Sequence, residues 1–377
     1  LHDLGVPANQ RVIHVAGTNG KGSVCAMIDS ICRADGYRTG LYTSPHLVTY
    51  RERIRVDGVM IEEHEVARGL TTIRNTVANW DPHPTFFEIT TALALDHFKK
   101  WDCELIVLET GLGGRLDATN ALTPAVSVIT PIAYDHQKWL GNTLEEIAAE
   151  KAGIIKATIP VVSAHQLPAA EKVIRARATE CAARLTFVSE SYSASELALS
   201  GAHQQQNAAL AMAALRAGNI EVSDDAIVRG LANVQWPGRF QRWDERIVID
   251  GAHNAAGAEI LATTWREQFA DQRATILLAV LRDKDIAAIW RALAPIASSA
   301  ILPTIRSERA QPPEVLATVI SSITPLLPYS IVSAVPDALV AARAASDPIL
   351  IAGSLHFVGE ALATLRGDPD ALEDCAQ

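Results

Sequence analysis

The chain has 377 residues, 49% of them hydrophobic, with 33 Lys and Arg against 43 Asp and Glu, a net charge of −10 and a mean hydropathy of +0.12. At ~100–200 residues per domain this predicts two domains with ample core. The acidic surplus argues against a nucleic-acid partner, and no apolar run is long enough to cross a bilayer, so neither nucleic acid nor membrane is expected. Cys25, Cys32, Cys103, Cys181 and Cys375 show neither zinc spacing nor a disulfide framework, and no secretory leader stands at the start. Reduced thiols and a cytoplasmic location are the expectation.

The first apolar run, 11–16, predicts a strand, and it leads into Gly17-Thr18-Asn19-Gly20-Lys21-Gly22-Ser23. Glycines let backbone N–H groups converge on phosphate oxygens, and Lys21 adds a mobile cation. A helix predicted over 23–35, stopped by Gly36, turns its positive end to the anion. The spacing departs from the common Walker form, because Val15 takes the first-glycine position and Gly22 separates Lys21 from Ser23. The segment still reads as a nucleotide-phosphate cradle rather than a bland glycine turn. Strands are predicted over 105–108, 126–129 and 159–162. Helices are predicted over 87–100, 144–152 and 168–183, from apolar residues at three- and four-residue spacing. That alternation predicts an α/β fold with a parallel-rich sheet wrapped by helices. After Gln235-Trp236-Pro237-Gly238-Arg239-Phe240 the rhythm restarts, with strands over 247–250, 275–280, 300–302 and 349–352. A second, smaller α/β domain is expected, with the division at 1–243 and 244–377.

Several polar residues sit where these strands end, which is where open α/β sheets collect ligands. Glu109 follows the run 105–108 near the phosphate loop and suits Mg²⁺; a capping or solvated glutamate is the rival reading. Asp135-His136 follows 126–129, and His136 suits a ligand or base, although a lone histidine is more often packed or at the surface. Lys151 taken alone reads as a solvated helix residue. Phe87 taken alone suits plain core packing. Asp283-Lys284-Asp285 follows the run 275–280 and, taken alone, reads as a helix cap.

Taken in order, 17–23, Tyr42-Thr43-Ser44-Pro45-His46-Leu47, 111–120, Asp135-His136 with Glu150-Lys151-Ala152-Gly153, His203-Gln204-Gln205-Gln206-Asn207 and Asp250-Gly251-Ala252-His253-Asn254 resemble the folylpolyglutamate synthase family over nearly the whole chain. The resemblance implies a P-loop Mur-ligase-like ATPase domain followed by a Rossmann-like glutamate ligase domain. It implies an ATP-dependent ligase in which a carboxylate takes the γ-phosphoryl group and the acyl phosphate is captured by the amino group of L-glutamate. By the same resemblance, ATP falls to Gly17, Thr18, Asn19, Gly20, Lys21, Gly22 and Ser23, met from the other side by Asn207, Arg239, Asp250 and His253. Mg²⁺ falls to Ser44, Glu109 and His136. The carboxylate substrate, dihydropteroate or a folate, falls to Ser44, Pro45, His46, Phe87, Arg115 and Asp117. Catalysis falls to Lys21, His136 and Lys151, the last as a lysine carbamylated by CO₂, with a monovalent cation as a further candidate.

The expected enzyme is a monomeric, bifunctional dihydrofolate synthase/folylpolyglutamate synthase. The alternatives are polyglutamate addition alone, a Mur-type cell-wall ligase, which would be expected to carry a UDP-binding domain ahead of the phosphate loop, and a P-loop switch that hydrolyses ATP without glutamate. The resemblance also places a helix and loop ahead of Leu1, part of which touches the carboxylate substrate.

Overall fold

A computed structural model describes residues 1–7 and 10–373. Cys25, Cys32, Cys103 and Cys181 are free thiols, and Cys375 lies outside the described residues. Among the described residues no helix is long and apolar enough to cross a membrane.

The first sheet holds β1 (Val12–Ala16), β2 (Thr39–Tyr42), β3 (Ile54–Val56), β4 (Val59–Met60), β5 (Leu105–Glu109), β6 (Val126–Ile129), β7 (Val161–Ala164) and β8 (Leu185–Val188). Their spatial order is β4-β3-β2-β5-β1-β6-β7-β8. From β2 to β8 in that order the strands run parallel, and β3 and β4 add an antiparallel edge. β1 and β5 are buried at every position, as parallel strands covered on both faces must be. The strand expected at 159–162 lies two residues further on, because Pro160 has no N–H to give the ladder and pairing with β6 begins at Val161.

The second sheet holds β9 (Gln241–Arg242), β10 (Ile247–Ile249), β11 (Ala274–Leu278), β12 (Ala297–Pro303), β13 (Tyr329–Val332) and β14 (Ile349–Ala352), in the order β13-β12-β11-β14-β10-β9. All its pairings are parallel except that of β9 with β10. The molecule is thus the expected α/β architecture of two parallel-rich sheets.

The two halves are joined by more than the chain between them. The segment after Pro45 leaves the first half, and Val48 is buried in one cluster with Ile247, Ile249, Phe357 and Val358 of the second. Helix Leu355–Leu365 passes so close that a Cβ on Gly359 would lie 1.9 Å from the Leu47 carbonyl oxygen. Backbone cannot yield as a side-chain tip does. Gly359→Ala is therefore expected to cost about 1–3 kcal/mol, as overpacking does, and to displace the segment carrying Ser44. Denaturant unfolding reads the loss, and an unchanged midpoint would show that this contact is loose.

Candidate active site

The phosphate loop is built by backbone, not by side chains. Gly17 leaves β1 with φ 148°, and a Cβ there would lie 1.9 Å from Thr130 Oγ1, so only glycine fits. The Thr18 and Asn19 N–H groups both donate to the Pro131 carbonyl (3.0 and 3.2 Å), and Thr18 Oγ1 exchanges hydrogen bonds with the backbone of Ala133. The loop is in this way tied to the segment after β6. Helix Lys21–Ala34 begins two residues earlier than the spacing suggested, with Gly20 at its N-cap and no side-chain cap. Its first-turn N–H groups remain available to an anion. Lys21 Nζ donates to the Thr18 carbonyl (3.1 Å), folding back over the loop.

Ser44, Glu109 and His136 reach the same cleft from the ends of three different strands, β2, β5 and β6. Burial pushes the Glu109 carboxyl above its ordinary range, against the pull of Lys21, the Ser44 N–H (3.2 Å), Arg239 and Arg53. The buried Ser44 Oγ has no hydrogen-bond partner among the described residues. An anion short of positive charge beside an orphaned hydroxyl is what a hard cation would satisfy. His136 takes a left-handed backbone (φ 51°), an uncommon conformation for a non-glycine residue. Burial lowers its imidazole to about 4, with Lys284 and Lys21 adding to the effect and Asp135 opposing it, so it is neutral and has a lone pair to offer. Among the described residues no three His, Cys, Asp or Glu cluster to hold a metal. A metal here would be completed by the serine, waters and phosphate oxygens, the mixed set Mg²⁺ prefers. The donor set fits the ion.

Lys151, on helix Leu144–Ala152, is 4% exposed and donates to the Gly17 carbonyl (2.8 Å). Burial, with Lys21 nearby, lowers its amine to about 7. The solvated-helix alternative does not describe it. Asn207 lies against Gly20, and its neighbour Gln204 donates to Ser23 Oγ (3.4 Å), so helix Ala202–Ala217 starts on the phosphate loop.

The second half closes the cleft through Asp135. Its carboxylate receives Lys284 Nζ (2.5 Å), Asn254 Nδ2 (3.1 Å) and its neighbour's His136 N–H (2.8 Å), with His253 Nε2 at 3.3 Å. Burial would raise its carboxyl, but His253, Lys284 and His136 hold it far below the usual range. Asn19 and Asn254 exchange amide hydrogen bonds (3.2 and 3.0 Å) across the same seam. Asp250 accepts from the Phe240 and Ala252 N–H groups, and burial raises its carboxyl while Arg239 opposes the rise. Asp285 caps helix Ile286–Leu293, which leaves Lys284 for the cleft. Arg309, Ser354 and His356 also line it. Arg309 comes from a loop after β12, and Ser354 and His356 from the start of the helix after β14; none carried a signal in the sequence. Further along, Phe240, Ile260, Leu261 and Thr264 make an apolar end beside His203, whose buried Nδ1 has no partner among the described residues.

A second pocket of about 460 Å³ opens beside Asp117 and Arg115, walled by Leu4, Val77, Trp80 and Ile89, a size and lining suited to a small ring system. Arg115 pairs with Glu150 (2.9 Å) at its edge. Two residues expected at substrate lie elsewhere. His46 is buried with its Nδ1 on Arg53 Nε (2.9 Å), away from the cleft, because the segment bearing it turns into the second half's core. Phe87 packs against Tyr42 (5.9 Å between centroids) and over Gly111, and lines neither pocket, as the core-packing alternative has it.

Residues 15–194 match the Mur ligase middle domain, and residues 238–355 match the Mur ligase glutamate ligase domain. The dihydrofolate synthase/folylpolyglutamate synthase of Bacillus subtilis is 36% identical, over 95% of this chain and 91% of its own. The structure of E. coli FolC in complex with DHPP and ADP superposes with a TM-score of 0.87 at 34% identity, covering 97% of this chain and 91% of that one. A bifunctional folylpolyglutamate synthase/dihydrofolate synthase from Yersinia pestis, complexed with AMPPNP and Mn ion, gives a TM-score of 0.87 at 31% identity over 97% and 91%. With the motifs in one order along the chain, the same two sheets and this agreement across nearly its full length, the protein belongs to the dihydrofolate synthase/folylpolyglutamate synthase family of Mur ligases, which are ATP-dependent ligases.

Proposed function

We propose that this chain joins L-glutamate to dihydropteroate and to the γ-glutamyl chain of folates, at the expense of ATP. The observation that carries this reading is the buried, charge-starved Glu109 beside the orphaned Ser44 hydroxyl, facing a phosphate loop across from the cations of the second half. Gly17, Thr18, Asn19, Gly20, Lys21, Gly22 and Ser23 hold the phosphates, with Asn207, Arg239, Asp250 and His253 on the nucleotide's other side. The apolar end at Ile260 and Leu261 takes the base. Ser44, Glu109 and His136 hold Mg²⁺, which when bound offsets negative charge on the transferring phosphoryl group. Lys21 shares that task and lets one anion approach another.

The substrate carboxylate enters from the second pocket, past Pro45, Arg115 and Asp117, and its oxygen attacks the γ-phosphorus as ADP leaves. Glutamate's amine then attacks the acyl carbon and phosphate leaves, giving the amide. Lys151, neutral in part at pH 7, takes up CO₂ and contributes a carboxylate to the site. We assign the phosphate and carboxylate-substrate sites to a unit 1–243 and the glutamate ligase unit to 244–377, and read the enzyme as a cytoplasmic monomer. The free thiols support that location.

ADP release with MgATP and L-glutamate is the test, using dihydropteroate, tetrahydrofolate or a UDP-muramoyl peptide as carboxylate. Turnover of both pterins is expected. Turnover of tetrahydrofolate alone reduces the enzyme to polyglutamate addition, and silence with both pterins overturns the reading.

A further inference from the structure

His14 is a histidine in the middle of β1, 1% exposed, on a strand whose other residues are Val12, Ile13, Val15 and Ala16. Its Nε2 lies 2.7 Å from Thr119 Oγ1, and Thr119 Oγ1 lies 2.5 Å from Asp117 Oδ1. The directions of these bonds follow from the inventory of donors. Asp117 accepts N–H groups from Gly111 and Leu112 on Oδ2 (2.9 Å each) and from Thr119 on Oδ1 (3.0 Å). Burial raises the Asp117 carboxyl and these donors oppose the rise; with the carboxylate charged it only accepts, and the threonine hydroxyl gives its single proton to Asp117. Thr119 must then receive a proton from His14, which fixes the imidazole as the Nε2–H tautomer. His14 Nδ1 is left buried with no partner among the described residues. Burial, helped by the charge of Lys156, lowers the imidazole to about 3, so it stays neutral and has that one proton to give.

An apolar residue would fill this place without orphaning a nitrogen. What His14 supplies instead is direction. The far end of the chain of bonds, Gly111 and Leu112, lies in the lining of the catalytic cleft, while Asp117 itself stands on the wall of the second pocket. The turn that separates the two spaces therefore hangs from one carboxylate, and that carboxylate is held by Thr119 and His14.

We propose that His14 is a positioning residue for the reaction, acting through Thr119 and Asp117 to fix the turn Gly111–Gly113 between the carboxylate-substrate pocket and the phosphate loop. This rests on the reading of the cleft as the place where a carboxylate is phosphorylated. His14 touches neither substrate nor nucleotide, so its loss alters the aim of the turn rather than the affinity for ATP.

The test compares His14→Leu, which keeps bulk but has no donor, with His14→Gln, whose amide nitrogen sits where Nε2 does. His14→Leu is expected to lower kcat roughly tenfold, as loss of a supporting hydrogen bond does, with KM for ATP unchanged. His14→Gln is expected to restore most of the rate. Thr119→Val should match His14→Leu, and the double variant should be no worse than either, since both break one chain of bonds. A role in stability alone would lower the melting temperature of His14→Leu and leave its kcat per folded molecule as in wild type; that result overturns the proposal, as does failure of glutamine to rescue. Nitrogen-15 spectra of His14 in the wild-type protein decide the relay separately from turnover. An Nε2–H tautomer that loses its bond in Thr119→Val supports it, and an Nδ1–H tautomer refutes it whether or not the enzyme uses pterins. Absence of turnover with every pterin in wild type, by contrast, would refute the assigned reaction while leaving the spectra to judge the relay.

Discussion

Glu109→Gln lowers kcat by about 10²-fold or more at saturating MgATP, the scale of removing one charge-stabilising group at the reacting centre. The same change leaves the protein without ligands as stable as wild type or more so. Glu109 sits at the end of β5, buried, with its carboxyl raised because burial disfavours the charge and Lys21, the Ser44 N–H, Arg239 and Arg53 only partly offset it. Glutamine keeps the shape and can still accept the Ser44 N–H, so it removes a costly buried charge and little else. Activity and stability therefore move in opposite directions, which damage to the fold would not produce. A second consequence is measurable without turnover. A ligand that binds the folded state raises its melting temperature, so MgATP should stabilise wild type more than Glu109→Gln. A rate near wild type would remove Glu109 from the metal site.

Lys151→Ala also lowers kcat by about 10²-fold, if the carboxylate it acquires from CO₂ helps order charge at the phosphoryl group. The physical basis is the amine lowered to about 7 by burial and by Lys21. The neutral form is the one that attacks CO₂, and it is lost as pH falls through about 7. Activity should therefore decline on the acid side of pH 7 in solutions poor in bicarbonate, and added bicarbonate should recover part of it. Lys151→Met should lack the bicarbonate response altogether. Gentle mass analysis of the wild type at pH 8 should show one extra CO₂, absent from the variant. Full activity in Lys151→Ala with no extra mass would refute this role.

The parts of the site that could be read from the sequence are those made by consecutive residues. Gly17 to Ser23 form their loop with backbone groups and one lysine, and the run 105–109 is apolar up to the glutamate it delivers. The contacts of the second half could not be read so. Arg309 stands after β12 and Ser354 and His356 after β14, in a sheet whose order is not the order of the chain, and only folding brings them to Lys284. Asp135 and His136 are adjacent in sequence, yet Asp135 takes three partners from the second half while His136 lines the cleft beside Glu109. Adjacent letters give no hint of that division. β2, β3 and β4 are two to four residues long, too short for any periodicity to stand out. His14 was hidden for the opposite reason. A strand buried on both faces has no alternation against which one polar residue would stand out. The misplacement of His46 has a tertiary cause as well, since the core that draws its segment away belongs to the other half of the molecule.

The central claim is that a substrate carboxylate is phosphorylated in the cleft before glutamate's amine attacks. Labelling both oxygens of that carboxylate with oxygen-18 and recovering the inorganic phosphate after a single round of ligation tests it directly. If the carboxylate is activated as an acyl phosphate, one labelled oxygen leaves with each phosphate and the amide retains the other. Phosphate free of label, with amide formed, would show that the carboxylate never carried the phosphoryl group, and the assignment of Glu109, Ser44, His136 and Lys21 to its transfer would fall.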